Sequence, residues 1–320
     1  METISMKIFK IILSLFAAIA VCASAQNISV GTGGTGGVYY PMGGGLASVL
    51  SKYVSGMSAT AEVTGGSVDN LNLIGTGKPY VGFTMADAAY DAIQGTGKFN
   101  NKKVELRNLL VLYPNRMHVV TVESTGIKTM KDIKGKRIST GSPGSATEVM
   151  ALRLLEAAGL EKGRDYQNER LSVAESVNAI KDKKIDAFFW VGGLPTASVT
   201  DLANSPGNKI VMIENDLEVA AMNKKYGNLY YTDVIPKSVY SGMTKDNKVS
   251  AVANMLVVSS SMSDDQAYKI VKAIFDNKKE LVATHAEYEN VILKNQKAEN
   301  SSVPFHPGAI KYLKEQGIKF

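Results

Sequence analysis

The glycine-rich segment Gly31-Thr32-Gly33-Gly34-Thr35-Gly36-Gly37-Val38-Tyr39-Tyr40-Pro41 constrains this chain more than any other stretch. It follows a short apolar strand expected over 28–30 and precedes a helix expected to open near Pro41. A strand-to-helix turn of this kind brings backbone N–H groups close to a ligand, and the helix N-terminus favours negative charge. Gly141-Ser142-Pro143-Gly144-Ser145-Ala146-Thr147-Glu148 repeats the design further along. Two such turns predict a cleft that grips a small anion from both sides.

Strand and helix signals alternate around these turns, which predicts an α/β fold with largely parallel sheets. Strands are expected over 28–30, 59–63, 80–83 and 109–112, the last closed by Tyr113-Pro114. Helices are expected over 42–54, from Ser67 onward, and over 86–93. An extended segment, 117–122, leaves this first unit, and the pattern then restarts. Strands over 136–140, up to Leu171, over 185–190 and over 209–213 alternate with helices over 145–158 and 175–181. A long apolar strand over 249–258 returns, and helix follows to the C-terminus. A restart followed by a late return predicts a discontinuous first lobe, 26–115 plus 249–320, and a second lobe, 116–248. The two crossing segments would form a hinge.

The N-terminus reads as an export signal. Lys7 and Lys10 precede an apolar run over 11–21, and Ala23-Ser24-Ala25 fits a small-x-small cleavage site. Residues 1–25 are expected to be a signal peptide cleaved after Ala25, delivering the chain to the periplasm. The run is short for a membrane span, and Ile19-Ala20-Val21 is a poor lipobox for Cys22. That cysteine is the only one in the 320 residues, so the exported chain must rely on its core rather than on disulfides. The net charge of +6 is spread over scattered pairs such as Lys102-Lys103 and Lys183-Lys184. This describes a solvated surface rather than a nucleic-acid footprint.

Catalysis and cofactors find little support in the residues. Gly31-x-Gly33-x-x-Gly36 matches a dinucleotide fingerprint, with Glu62 as a ribose-binding acid. Against this reading, Tyr39-Tyr40-Pro41 puts bulk and a proline where the fingerprint helix would continue. No cofactor is expected. His118, His285 and His306 lack metal-ligand spacing, so no metal is expected. Pro143 spoils a nucleophile elbow at Gly141. Asp87 sits near a strand end, where it could meet a ligand amine or hydroxyl. Trp190 suits core packing and cleft lining equally.

Several segments together resemble the TAXI family of solute-binding proteins, which serve tripartite ATP-independent periplasmic (TRAP) transporters. They are the opening glycine motif, Thr64-Gly65-Gly66-Ser67-Val68-Asp69-Asn70-Leu71, Leu112-Tyr113-Pro114, Asp132-Ile133-Lys134-Gly135-Lys136-Arg137-Ile138, the second glycine turn, Lys184-Ile185-Asp186-Ala187-Phe188-Phe189 and His306-Pro307-Gly308-Ala309. The resemblance covers essentially the whole exported chain. It implies a two-lobed periplasmic binding fold, type II-like, with each lobe a mostly parallel sheet flanked by helices. It also implies delivery of a solute, glutamate or a related C5 dicarboxylate, to a TRAP membrane permease driven by an ion gradient. In one place the chain departs from the family: Asn115-Arg116 follows Tyr113-Pro114, where an acidic residue is common.

The expected site follows from these readings. Backbone N–H groups at Thr35 and Gly36, and at Ser145, Ala146 and Thr147, hold a carboxylate. Tyr39, Thr64, Ser67 and Tyr113 form the first-lobe wall, Ser142 and Gly193 join from the second lobe, and Asp87 meets an amino or hydroxyl group. The protein is expected to act as a monomer that binds without chemistry. An exported enzyme using the same cleft, or a binding protein feeding a sensor kinase, are the alternatives.

Overall fold

The computed structural model describes residues 26–78 and 80–320. The expected signal peptide and Cys22 lie outside the described residues. From the N-terminus the chain runs β1 (Gln26–Gly31), α1 (Tyr39–Tyr53), β2 (Met57–Glu62), α2 (Ser67–Ile74), β3 (Tyr80–Met85) and α3 (Ala86–Gln94). β1 pairs in parallel with β2 and β3, as the alternation predicted. Strand β4 (Leu106–Val122) then leads into β5 (Arg137–Ser139), α4 (Ala146–Ala157), β6 (Gln167–Glu169), α5 (Val173–Lys181) and β7 (Ala187–Gly192). Helix α6 (Ala197–Asn204), β8 (Ile210–Met212), α7 (Val219–Tyr226) and β9 (Tyr230–Ile235) follow. The return strand β10 (Asn247–Ser259) and helices α8 (Asp264–Asp276), α9 (Lys278–Thr284) and α10 (Pro307–Glu315) complete the chain.

The ten strands of the described residues share one sheet, in the order β2-β1-β3-β10-β4-β7-β5-β6, with β8 beside β4 and β9 beside β10. The fold is a two-lobed α/β architecture whose lobes are joined by the two longest strands. β10 lies antiparallel between β3 and β4, and β4 continues to pair with β7. Beyond β7, β5 and β6 are again parallel.

The 109–112 and 117–122 segments, expected as separate strands, form one continuous β4. Pro114 interrupts the ladder less than its chemistry suggests. It stands opposite Ala253 beside a register shift between Ala253 and Met255. A bulge is the place in a sheet interior that tolerates a missing donor. The sequence reading also left β9, α6 and α7 unassigned; each is short and lies in the more polar third quarter of the chain.

Amphipathic spacing builds the core, although Tyr53 and Leu152, which the helical spacing also puts on the apolar faces, stand exposed and half-buried. In α1, Met42, Leu46, Val49 and Leu50 are buried against Ile28, Val30 and Phe83 of the sheet. In α4, Met150, Leu154 and Leu155 are buried on the other lobe. This arrangement leaves the N-termini of α1, α2, α4 and α5 turned to the cleft between the lobes.

Candidate functional site

Four helices begin at one cleft. Its wall includes Val38 and Tyr39 at the start of α1, Gly66 and Ser67 at α2, Ser145 to Thr147 at α4, and Ser172 and Val173 at α5. The first N–H groups of a helix have no intrahelical partner, and together with the helix dipole they carry partial positive charge. Ser145 Oγ accepts from Glu148 N at 3.1 Å and Ser172 Oγ accepts from Glu175 N at 3.3 Å, so α4 and α5 each have one of those donors filled. Neither α1 nor α2 has a side-chain cap. Met85, Tyr113, Trp190, Val191 and glycines from both motifs complete the wall, and no lining residue is charged.

Of the twelve residues expected to meet a ligand, seven line this cleft: Tyr39, Ser67, Tyr113, Ser142, Ser145, Ala146 and Thr147. Five do not. Thr35 is exposed ahead of the helix. Because α1 begins only at Tyr39, the open donors lie at Val38 and Tyr39 rather than at Thr35 and Gly36. Gly36 instead touches the other lobe, its carbonyl accepting from Ser198 Oγ at 3.1 Å. Thr64 turns its hydroxyl inward, to Asn70 Oδ1 at 2.8 Å and the Thr32 carbonyl at 3.1 Å. Gly193 packs against Glu287 and Tyr113 behind the wall.

Asp87 is the clearest departure from expectation. It is wholly buried and faces the opposite lobe, where Tyr230 donates to it at 2.9 Å and Arg153 approaches to 3.8 Å. Burial raises its pKa, and Arg153 works against that rise. Arg153 also pairs with Asp91. Asp87 therefore holds lobe to lobe and is not presented to a solute. A sequence contains no signal that brings Arg153 within reach of Asp87; only the packing of α3 on α4 does so.

The lobes touch directly across the cleft. Ser142 Oγ donates to the Gly65 carbonyl at 3.1 Å, and Asp69 N donates to the Gly144 carbonyl at 3.1 Å. A Cβ on Gly65 would stand 2.3 Å from the Pro143 carbonyl oxygen, and one on Gly37 would stand 2.8 Å from Trp190. These glycines are needed for close approach of the lobes, a role beyond the donor role read from sequence. The space left between the turns is about 40 Å³.

Trp190 resolves to cleft lining, and a relay fixes it from behind. Its Nε1 donates to Thr196 Oγ1 at 2.9 Å, Thr196 N donates to Tyr240 Oη at 3.0 Å, and Tyr240 meets His118 Nε2 at 3.0 Å. His118 Nδ1 faces the Arg116 carbonyl at 2.8 Å, so that nitrogen carries the proton and Nε2 accepts from Tyr240. Burial pushes the His118 pKa from 6.5 down to about 4. His306 caps α10 through Nδ1, which accepts from Gly308 N at 3.1 Å, and His285 likewise accepts from Glu287 N at 3.1 Å. Among the described residues, no three His, Cys, Asp or Glu side chains cluster to hold a metal ion. No helix among them is long and apolar enough to cross a membrane.

Solved structures share this architecture. A periplasmic transporter matches with a TM-score of 0.53 at 13% identity, covering 91% of this chain and 93% of that one. A protein from Bordetella bronchiseptica RB50 matches at 0.51 and 18% identity, covering 90% and 89%. A putative L-cystine ABC transporter from Listeria monocytogenes matches at 0.50 and 16% identity, covering 85% and 98%. These likenesses establish the two-lobed, type II-like fold of periplasmic binding proteins. At the level of sequence, the match to a family extends over residues 30–317, nearly the full chain, and by it this protein belongs to the NMT1-like family.

Proposed function

We propose that this protein is a periplasmic solute-binding component of a membrane transporter, and that it captures a small carboxylate without altering it. The observation that carries this reading is the convergence of four helix N-termini on a cleft with no charged lining residue. Each terminus stabilises an anion by about 0.3–1 kcal/mol, and up to about 2 kcal/mol when partly buried. The wall offers no activated nucleophile and no poised acid–base pair, which favours binding over catalysis.

We place the lobes at 26–115 plus 249–320 and at 116–248, with the hinge where β4 and β10 cross. Both lobes contribute to the wall, so a bound solute favours the closed arrangement. The closed pair then presents one surface to a permease. Within this reading the motif resemblance supports a TRAP permease as partner and glutamate, 2-oxoglutarate or 2-hydroxyglutarate as solute. The neighbour from Listeria monocytogenes, a putative L-cystine ABC transporter, gives the competing partner class.

A thermal-shift screen across carboxylates tests the binding claim. Ligand at about 100 times its dissociation constant should stabilise the protein by about 2.7 kcal/mol. Mass analysis after long incubation should return the solute unchanged. Absence of any shift from carboxylates, or recovery of a converted product, refutes the reading. Uptake in vesicles separates the partner classes: collapse of the ion gradient stops TRAP uptake, and removal of ATP stops ABC uptake.

A further inference from the structure

Behind the cleft wall, beside Tyr39 and Tyr113, lies a buried polar cluster that the anion site does not use. Tyr39 Oη donates to Asn254 Oδ1 at 3.2 Å and accepts from Asn115 Nδ2 at 3.4 Å. With the hydroxyl bridging the two amides, their remaining polar atoms, Asn254 Nδ2 and Asn115 Oδ1, have no partner. The hydroxyl of Tyr113, which lines the cleft at 2% exposure, also has no partner. Buried polar atoms left unpaired cost free energy, and native interiors rarely carry three of them around one hydroxyl without a reason. Burial holds the Tyr113 hydroxyl well above its ordinary pKa, so it stays protonated and able to donate.

The surrounding carboxylates are all committed. Asp87 is occupied by Tyr230 and Arg153. Glu287 accepts from Leu194 N at 2.6 Å and Asn290 Nδ2 at 2.6 Å, and faces Arg116 at 3.6 Å. An ammonium group entering the cleft would meet helix N-termini and amide donors with no negative partner, a large desolvation cost. An uncharged oxygen would accept from Tyr113 Oη, the member of the cluster that lines the cleft without a partner.

We propose that the Tyr113 hydroxyl, backed by Tyr39, Asn115 and Asn254, receives an uncharged oxygen beside the solute's carboxylate, so that the cleft takes 2-oxo or 2-hydroxy acids and rejects 2-amino acids, a choice that rests on the carboxylate-binding reading above. A site built to hydrogen-bond an oxygen discriminates strongly against an analogue that leaves its polar groups unpaired.

Calorimetry with two matched triplets tests this: pyruvate, L-lactate and L-alanine, then 2-oxoglutarate, L-2-hydroxyglutarate and L-glutamate. The oxo or hydroxy member should bind at least 10-fold more tightly than its amino twin in the triplet that binds. An amino acid that binds as tightly as its twin overturns the proposal and leaves carboxylate binding standing. If no member of either triplet binds, and neither propionate nor glutarate does, the carboxylate reading falls and this proposal with it. Tyr113→Phe, checked for an unchanged melting curve, should lower affinity for the 2-oxo acid at least fivefold and leave the plain acid within twofold. Equal losses for both overturn the proposal. Asn254→Asp supplies the missing negative charge and should shift the ranking toward the amino twin; an unmoved ranking counts against it.

Discussion

Along the cleft the lobes meet through glycines, hydroxyls and helix N-termini, while along the flank of α3, α4 and β9 they meet through buried charge. Arg153 reaches across to Asp91 and Asp87, Tyr230 donates to Asp87, and Lys98 pairs with Glu148 at 3.0 Å. The flank is closed by groups that satisfy one another. The cleft leaves its dipoles and the Tyr113 hydroxyl unsatisfied, and a ligand can complete them. The difference separates stability from recognition. Loss of a flank charge should act on folding and closure whatever the solute, and changes in the cleft should act on affinity.

The largest effect is expected from Arg153→Met, which strands Asp87 and Asp91 in a buried setting. Removal of one partner of a buried ion pair costs about 3–5 kcal/mol. Urea unfolding should show that loss, and adding Asp87→Asn and Asp91→Asn should restore most of it. An unchanged urea midpoint in the single variant would erase the contrast between flank and cleft.

Next comes pH, acting through the relay behind Trp190. The folded pKa of His118 is depressed from 6.5 to about 4, so its stability contribution is present above 6.5 and lost as pH falls through 4. The span of that shift corresponds to roughly 3 kcal/mol. Asp87 and Glu287 have raised pKa values, dominated by burial, and their contributions run the other way, fading as pH rises. Comparison of His118→Gln with the parent isolates the histidine: the parent should lose stability between pH 7 and pH 4 more steeply than the variant. Parallel curves would show that the histidine does not titrate as described.

Gly65→Ala sharpens the contrast from the cleft side. Its Cβ would meet the Pro143 carbonyl oxygen at 2.3 Å, so the lobes cannot reach the same closure. Overpacking of this kind costs about 1–3 kcal/mol. The loss should appear as roughly 10- to 100-fold weaker solute binding with the melting temperature nearly unchanged, measured by calorimetry and thermal unfolding together. The smallest effect is expected from Ser145→Ala. Ser145 Oγ caps α4 and donates to the Ser142 carbonyl at 2.7 Å, so its loss should cost about 1 kcal/mol of stability, the usual value of a cap. If it instead weakened solute binding strongly at constant stability, the hydroxyl would have a direct contact that its geometry does not show.

The sequence by itself determined the repeating strand–helix units, the two glycine turns and the apolar faces of α1 and α4. Each depends on local spacing, on residues within a few turns of one another. It placed the second-lobe turn at the cleft for the same reason. Only the tertiary structure decided which polar groups meet across long separations. Asp87, read as a ligand contact, is bound to Arg153 and Tyr230. Thr64 serves Asn70, while Asn254, which carried no local signal, stands behind the cleft wall; Ser172, on the wall, had a signal in the Ser-x-x-Glu pattern that ends at Glu175. Trp190 could not be assigned from its own strand, because its surroundings come from Gly37 of one lobe and Thr196 of the other. Hydrogen bonding and charge pairing are short-ranged in space and indifferent to distance along the chain, so the partners of a buried polar group follow from packing and not from its neighbours in sequence.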